Sequence, residues 1–186
     1  MLFRSVRIVS SETYEPLGPD TPGLVLVKGP NVMQGYLGRD DLTKAAFRDG
    51  WYVTGDQGFL SEDGFLKITG RLSRFSKIGG EMIPHGLIEE SLQQASGADL
   101  QVFAVTAVGD ERKGEKLVVL HTLEEPKVDE ALERLGTLGL PNLFIPRREN
   151  FIKVDTIPML GTGKLDLRGI RRVAEEAMEA KETVKV

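Results

Sequence analysis

Cysteine does not occur in this 186-residue chain, histidine occurs twice and tryptophan once. Without cysteine there is no disulfide framework, no thiol nucleophile and no cysteine-ligated zinc. Two histidines, His85 and His121, are too few for a histidine metal cluster, so no metal ligand is expected and both rings are assigned to packing or surface. Long apolar runs are lacking too. The longest, Leu24-Val25-Leu26-Val27 and Leu117-Val118-Val119-Leu120, are strand-length and far below the ~20 residues of a membrane-spanning helix. The start, Met1-Leu2-Phe3-Arg4-Ser5, passes straight into an alternating apolar pattern, with no series of basic, apolar and small residues that would direct secretion, so a cytoplasmic location is expected. Positive charge is not in excess either: a net charge of −4 does not suit a nucleic-acid binder, which must neutralise phosphates.

What remains is a globular composition, 40% hydrophobic and long enough for one domain or two small ones. The first part carries β and turn signals: strands at Val6 to Val9 and Gly23 to Lys28, Trp51 to Thr54 leading into Gly55-Asp56, and a hairpin of Gly58-Phe59-Leu60 with Phe65 to Thr69 around Ser61-Glu62-Asp63-Gly64. One helical patch, Asp41 to Phe47, interrupts it. This part reads as a small β-barrel or an antiparallel sheet with long loops. After Gly70-Arg71 strands and helices interleave. A helix is expected after Pro84, with Leu87, Ile88, Ser91, Leu92 and Ala95 at helical spacing, then strands at Val102 to Val108 and Lys116 to Leu123. A helix over Val128 to Leu138, a short strand at Phe151 to Val154 and a closing helix from Leu167 to Ala180 complete an α+β domain, and the polar tail Lys181 to Val186 is expected to fray.

Taken singly, the residues with chemical potential have plain explanations. Asp56, after Thr54-Gly55, stands where an aspartate commonly closes a turn, and Arg71 reads as a solvated charge in the connection Arg71 to Lys77. Gly161-Thr162-Gly163-Lys164 has the glycines and lysine of a phosphate-binding loop. It lacks that loop's spacing: Pro158 stands five residues before Gly163, and Leu165 follows the lysine where a hydroxyl would be needed for magnesium.

Taken together and in order, these pieces resemble the adenylate-forming superfamily of acyl- and aryl-CoA synthetases, luciferases and peptide-synthetase adenylation domains. Gly50-Trp51-Tyr52-Val53-Thr54-Gly55-Asp56-Gln57-Gly58 is similar to its G-W-x-x-T-G-D-x-G motif, followed by Asp63-Gly64-Phe65-Leu66 and Gly70-Arg71. Upstream, Gly29-Pro30-Asn31-Val32-Met33-Gln34-Gly35-Tyr36 resembles G-x-x-V-x-x-G-Y; downstream, Lys77 to Glu90 resembles K-x-x-G-x-x-I-x-P-x-x-I-E, and Ile157 to Asp166 resembles the terminal lysine motif. Within the superfamily, Arg74 to Met82 and Leu160 to Asp166 look most like the synthetase domain of the bifunctional 2-acylglycerophosphoethanolamine acyltransferase/acyl-acyl carrier protein synthetases.

The resemblance implies that residues 1–70 are the β-rich end of a large adenylation domain, 71–77 a hinge and 78–186 a mobile α+β lid domain, so that the chain is a fragment without the phosphate-gripping loop or the fatty-acid pocket. It implies ATP and Mg2+, held mainly by the absent N-terminal part, a fatty acid as substrate, and the phosphopantetheine thiol of acyl carrier protein or CoA as co-substrate. Lys164 would be catalytic, stabilising the charge that builds between carboxylate and α-phosphate. Asp56 and Arg71 would hold ATP or AMP at the ribose and phosphate, and Gly79 and Gly80 would line the pantetheine tunnel. Ser73 stands at the pivot, where the family usually has Asp or Lys. Arg147, Arg148, Arg168, Arg171 and Arg172 are candidates for a basic face towards an acidic carrier protein. A CoA-dependent ligase is the alternative, and a non-catalytic binding module the second. Membrane association would come only through other parts of a complete protein, at the cytoplasmic face of the inner membrane.

Overall fold

The computed structural model describes residues 5–183. Contacts divide the chain into two units, Met1–Ser73 and Arg74–Val186.

The first unit is an antiparallel sheet of β1 (Ser5–Val9), β2 (Gly23–Lys28), β3 (Phe47–Arg48), β4 (Trp51–Leu60) and β5 (Leu66–Arg71), with one helix, α1 (Asp40–Ala46). The strands run in the order β1-β2-β4-β3, and β5 pairs with the second half of β4. Val9, Leu24 and Leu26 form its small core, packed by Trp51, Val53 and Leu72. The barrel-like closure expected from the sequence is not among the pairings described. Segment 15–17 takes the hydrogen-bonding positions beside the end of β1, through Leu17 N to Ile8 O at 2.9 Å and Ser10 N to Glu15 O at 2.9 Å, so that edge is covered by its own loop.

In the second unit, β6 (Phe75–Ile78) and β7 (Glu81–Pro84) make a hairpin that begins within the stretch 71–77 expected to be a hinge. There follow α2 (His85–Ser96), β8 (Phe103–Asp110), β9 (Gly114–His121), α3 (Glu125–Leu135), β10 (Phe151–Lys153) and α4 (Leu167–Thr183). The sheet order is β10-β9-β8, with β10 parallel to β9 and β8 antiparallel to it. Alternation along these strands serves two cores. Phe103, Val105, Leu117, Val119 and Phe151 pack with Ile78, Ile83 and residues of α2 and α3, while Ala104, Val108, Val118, Leu120 and Ile152 pack with α4. A sheet covered on both faces needs continuous apolar strands, which is why Leu117 to Leu120 shows no polar alternation.

Helix α2 buries Ile88, Leu92 and Ala95 and stops at Gly97, whose φ of 66° lets its N–H reach back to Gln93 O. Helix α3 starts three residues earlier than its apolar spacing suggests, because Pro126 suits a first turn. Of the tail Lys181 to Val186, expected to fray, residues through Thr183 are helical and 184–186 lie outside the described residues; Lys181 Nζ donates to Glu149 O at 2.7 Å and Phe151 O at 3.3 Å. No helix among the described residues is long and apolar enough to cross a membrane.

Close approach of β4 to β5 explains one motif glycine. The register shifts between Gln57 and Gly58, and a Cβ on Gly58 would lie 2.4 Å from Lys67 O. Gly58→Ala is expected to destabilise the first unit by about 1–3 kcal/mol, the usual cost of overpacking. Gly18→Ala, where a Cβ meets nothing within 4 Å, should change stability by less than about 0.5 kcal/mol in the same denaturant titration.

Candidate functional site

Asp56 owes its position to a bulge. Leu26 pairs with Val53 and Leu24 with Gln57, so Thr54, Gly55 and Asp56 together face the single residue Val25. Thr54 plugs the bulge: its hydroxyl donates to Val25 O at 2.8 Å and accepts from Asp56 N at 2.9 Å. Directly across the β4–β5 ladder stands Arg71, whose Nε lies 2.8 Å from Asp56 Oδ1 and whose Nη1 donates to Thr54 O at 3.0 Å. The structure thus brings Asp56 and Arg71 together, with side chains 29% and 62% exposed. At that exposure the pair adds little stability, roughly 0–1 kcal/mol, and its oxygens and remaining N–H groups are open to a polar ligand. Nearby, burial and the Tyr36 phenol raise the pKa of Tyr52, which keeps its hydroxyl protonated.

Gly79 and Gly80 form the two-residue turn between β6 and β7, with φ of 59° and 93° as a primed hairpin turn requires. The turn is tied to the β8–β9 connection by Gly79 N to Lys113 O at 3.1 Å, and a Cβ on either glycine would meet nothing within 4 Å. Ser73 is exposed and lies in a 3-10 turn, Leu72–Arg74, at the division between the two units.

Lys164 follows the tip of a hairpin. Gly163 N donates to Leu160 O at 2.9 Å, Leu160 N to Lys164 O at 2.7 Å, and Met159 bridges Leu165. Gly163 adopts a φ of 79°, the left-handed residue of a bulged hairpin. Asp166 caps α4 by accepting from Gly169 N at 3.1 Å, and Ile157 and Leu165 seat the hairpin on the α4 core. Lys164 is exposed, and its ammonium has no hydrogen bond or ion pair among the described residues. The arrangement presents a free cation on a firm base.

Two features of the second unit escaped sequence reasoning. One is a buried polar knot. Arg74 Nη1 donates to Glu89 Oε1 at 3.1 Å, Nη2 contacts Glu89 Oε2, and Oε1 also accepts from Val105 N at 2.7 Å. Beside it Ser76 Oγ meets His85 Nε2 at 2.5 Å. His85 was expected only in packing or at the surface, and charges 15 residues apart carry no pairing signal in the sequence. The other is a cleft of about 1060 Å³ lined by basic Arg112, Lys113 and Arg147, acidic Glu115 and apolar Leu117 and Ile145. Of the arginines considered for a carrier-protein face, four are paired within the chain: Arg147 with Glu149, Arg148 with Glu125 and Asp129, Arg171 with Glu175 and Arg172 with Glu176.

The mixed α+β arrangement matches the carboxyl-terminal domain of adenylate-forming enzymes of known structure. The solved structures agree: ATP-bound MatB from Rhodopseudomonas palustris superposes with a TM-score of 0.69 at 30% identity over 91% of this chain and 34% of that one. The o-succinylbenzoate CoA synthetase MenE from Bacillus subtilis, in complex with its acyl-adenylate intermediate OSB-AMP, gives 0.70 at 29% identity over 89% and 33%. Curated relatives are CoA ligases. A long-chain-fatty-acid–CoA ligase of Bacillus subtilis (strain 168) is 35% identical over 92% of this chain and 30% of its own length. A feruloyl-CoA synthase of an Amycolatopsis species is 34% identical over 91% and 34%, and a 2-succinylbenzoate–CoA ligase of Bacillus mycoides (strain KBAB4) 34% over 85% and 32%. No protein-family model matches the chain. The chain therefore spans about a third of the length of these relatives. Their names favour CoA over the carrier protein expected from the Arg74 to Met82 segment.

The knot has a consequence in acid. Burial, and then the nearby Arg74 charge, depress His85 from its ordinary 6.5 to about 4. Between those values the unfolded chain binds a proton that the folded chain refuses, so stability rises with pH: the full contribution is present above about 6.5 and is lost as pH falls towards 4. Its size is roughly 3 kcal/mol. Burial lowers His121 in the same direction. His85→Gln should therefore reduce, without abolishing, the pH dependence of denaturant stability between 6.5 and 4.5; an unchanged slope would remove His85 from this account.

Proposed function

We propose that the chain is the carboxyl-terminal part of an ATP-dependent acid–thiol ligase, which activates a carboxylate as its adenylate and hands the acyl group to the thiol of CoA. The observation that carries this reading is Lys164: an exposed ammonium without a partner in the described structure, on a hydrogen-bonded hairpin, in a chain whose relatives are CoA ligases. A cation in that setting can stabilise negative charge building between an attacking carboxylate and the α-phosphate without first breaking an internal ion pair. In this reading Asp56 accepts from the ribose hydroxyls, since an ionised carboxylate offers acceptors only, and Arg71 orients Asp56 while its spare N–H groups face ribose or phosphate oxygens.

Gly79 and Gly80 are assigned to the path of the thiol arm, because their turn leaves open space where side chains would stand. In the neighbouring cleft Arg112 and Lys113 suit the phosphates of CoA, with Leu117 and Ile145 as an apolar floor, while Arg147 is paired with Glu149. Ser73 is the pivot of a rotation that presents Lys164 in one step and the glycine turn in the other. A fatty acid remains the substrate class that the first relative suggests, while its pocket and the Mg2+ site belong to a part of the protein outside this chain. Acyl carrier protein is the less favoured acceptor, because the arginines that would steer it are mostly neutralised by Glu and Asp within the chain.

In the complete protein, Lys164→Ala should lower adenylate formation, followed by pyrophosphate exchange, by on the order of 100- to 1000-fold. Thioester formation from supplied acyl-adenylate should stay within about fivefold of wild type. Near-normal exchange in that variant would falsify the role of the lysine. Comparing CoA with holo-carrier protein under the same conditions decides the acceptor: the proposal expects turnover with CoA and fails if only carrier protein is acylated.

A further inference from the structure

The chain is gripped on both sides of Ser73. Before it, Arg71 is tied to Asp56 and Thr54, and Leu72 packs against the core of the first unit. After it, Arg74 is tied to Glu89 within the second unit. Ser73 is exposed, and its side chain makes no hydrogen bond among the described residues.

We propose that Arg74 and Glu89 are positioning residues for the thiol-accepting half-reaction: their buried ion pair holds the β6–β7 hairpin, and with it the Gly79–Gly80 turn, in one orientation relative to the rest of the second unit. This rests on the ligase reading above. Arg74 and Glu89 side chains are 20% and 11% exposed, and both carboxylate oxygens of Glu89 face the guanidinium. Such a two-pronged contact fixes direction as well as distance. Because Glu89 Oε1 also accepts from Val105 N, one carboxylate joins the entry of β6, helix α2 and strand β8.

Three more bonds continue the grip along the hairpin. Ser76 is held by His85 at the start of α2, Lys77 N donates to Glu115 Oε2 at 2.7 Å, and Gly79 N donates to Lys113 O. Ile78 and Ile83 of the same hairpin lie in the core shared with α2 and α3. Lys164 is mounted differently: its hairpin is closed by bonds among residues 158 to 169 and packs through Ile157 and Leu165 on the other face of the sheet. Loosening the ion pair therefore misplaces the glycine turn and leaves the lysine where it was. Simple stabilisation of the unit would lower both half-reactions together.

The test uses the complete protein carrying Arg74→Lys or Glu89→Gln, each of which keeps a hydrogen-bonding group in place. Single-turnover thioester formation from supplied acyl-adenylate and CoA should slow by about tenfold or more, the order expected from a misplaced group. Pyrophosphate exchange should stay within about twofold, and the double variant should be no slower than the slower single one, because the two residues act as a unit. Hydrogen exchange at the Val105 amide and at Phe75–Ile78 should quicken in parallel. Should either variant fold poorly, Ser76→Ala, which loosens the same hairpin without uncovering a buried charge, should give the same split. Equal loss in both half-reactions, or unaltered thioester formation despite faster exchange, overturns the proposal. Loss of both half-reactions in the wild-type protein overturns the ligase reading instead.

Discussion

Side chains along a β-strand point alternately to the two faces of its sheet, and in β8, β9 and β10 that alternation supports two separate cores at once. The rest of the second unit depends on it. Val105 and Val119 face α2 and α3 while Ala104, Val118 and Leu120 face α4, so a one-residue slip would exchange the two sets and match neither. Because the faces are covered independently, each carries its own hairpin. The glycine turn between β6 and β7 is fastened on one, and the hairpin of Lys164 on the other.

Charge is used in contrasting ways at the two arginines that flank Ser73. Arg71 is well exposed beside Asp56, where water screens the pair and the groups remain available to a ligand. Arg74 and Glu89 are mostly buried, where separating the partners would leave an uncompensated charge in a poor solvent. Three residues apart, the first contact is suited to binding and the second to holding. Lys164 lies at a third extreme, exposed and with no counter-charge among the described residues.

Kinship with CoA ligases and the pairing of the surface arginines bear on the acceptor from different directions. The relatives are CoA ligases, and the ion pairs Arg148 with Glu125 and Asp129, and Arg171 with Glu175, weaken the field a carrier protein would need. A phosphate-rich small acceptor asks less of a surface than a carrier protein does, and Arg112 and Lys113 stand together in the lining of one cleft.

Periodicity and turn chemistry determined most of the elements. Leu87 to Ala95 at helical spacing, the apolar run Leu117 to Leu120 and the Ser61 to Gly64 turn all specify local structure through neighbours close in sequence, and each is present where expected. The motifs also marked Asp56 and Arg71 in advance. Their juxtaposition was not legible, because it follows from a bulge opposite Val25 that depends on the register of three strands. Nor was the β6–β7 hairpin, whose first strand overlaps the connection Arg71 to Lys77 and whose place depends on Ile78 and Ile83 entering the core formed by α2 and α3. The sequence by itself determined which residues could do chemistry and which segments would be strand or helix. Only the tertiary structure decided that Arg74 closes on Glu89 and that Lys164 has no such partner among the described residues, since pairing of charges far apart in the chain is set by how the elements pack.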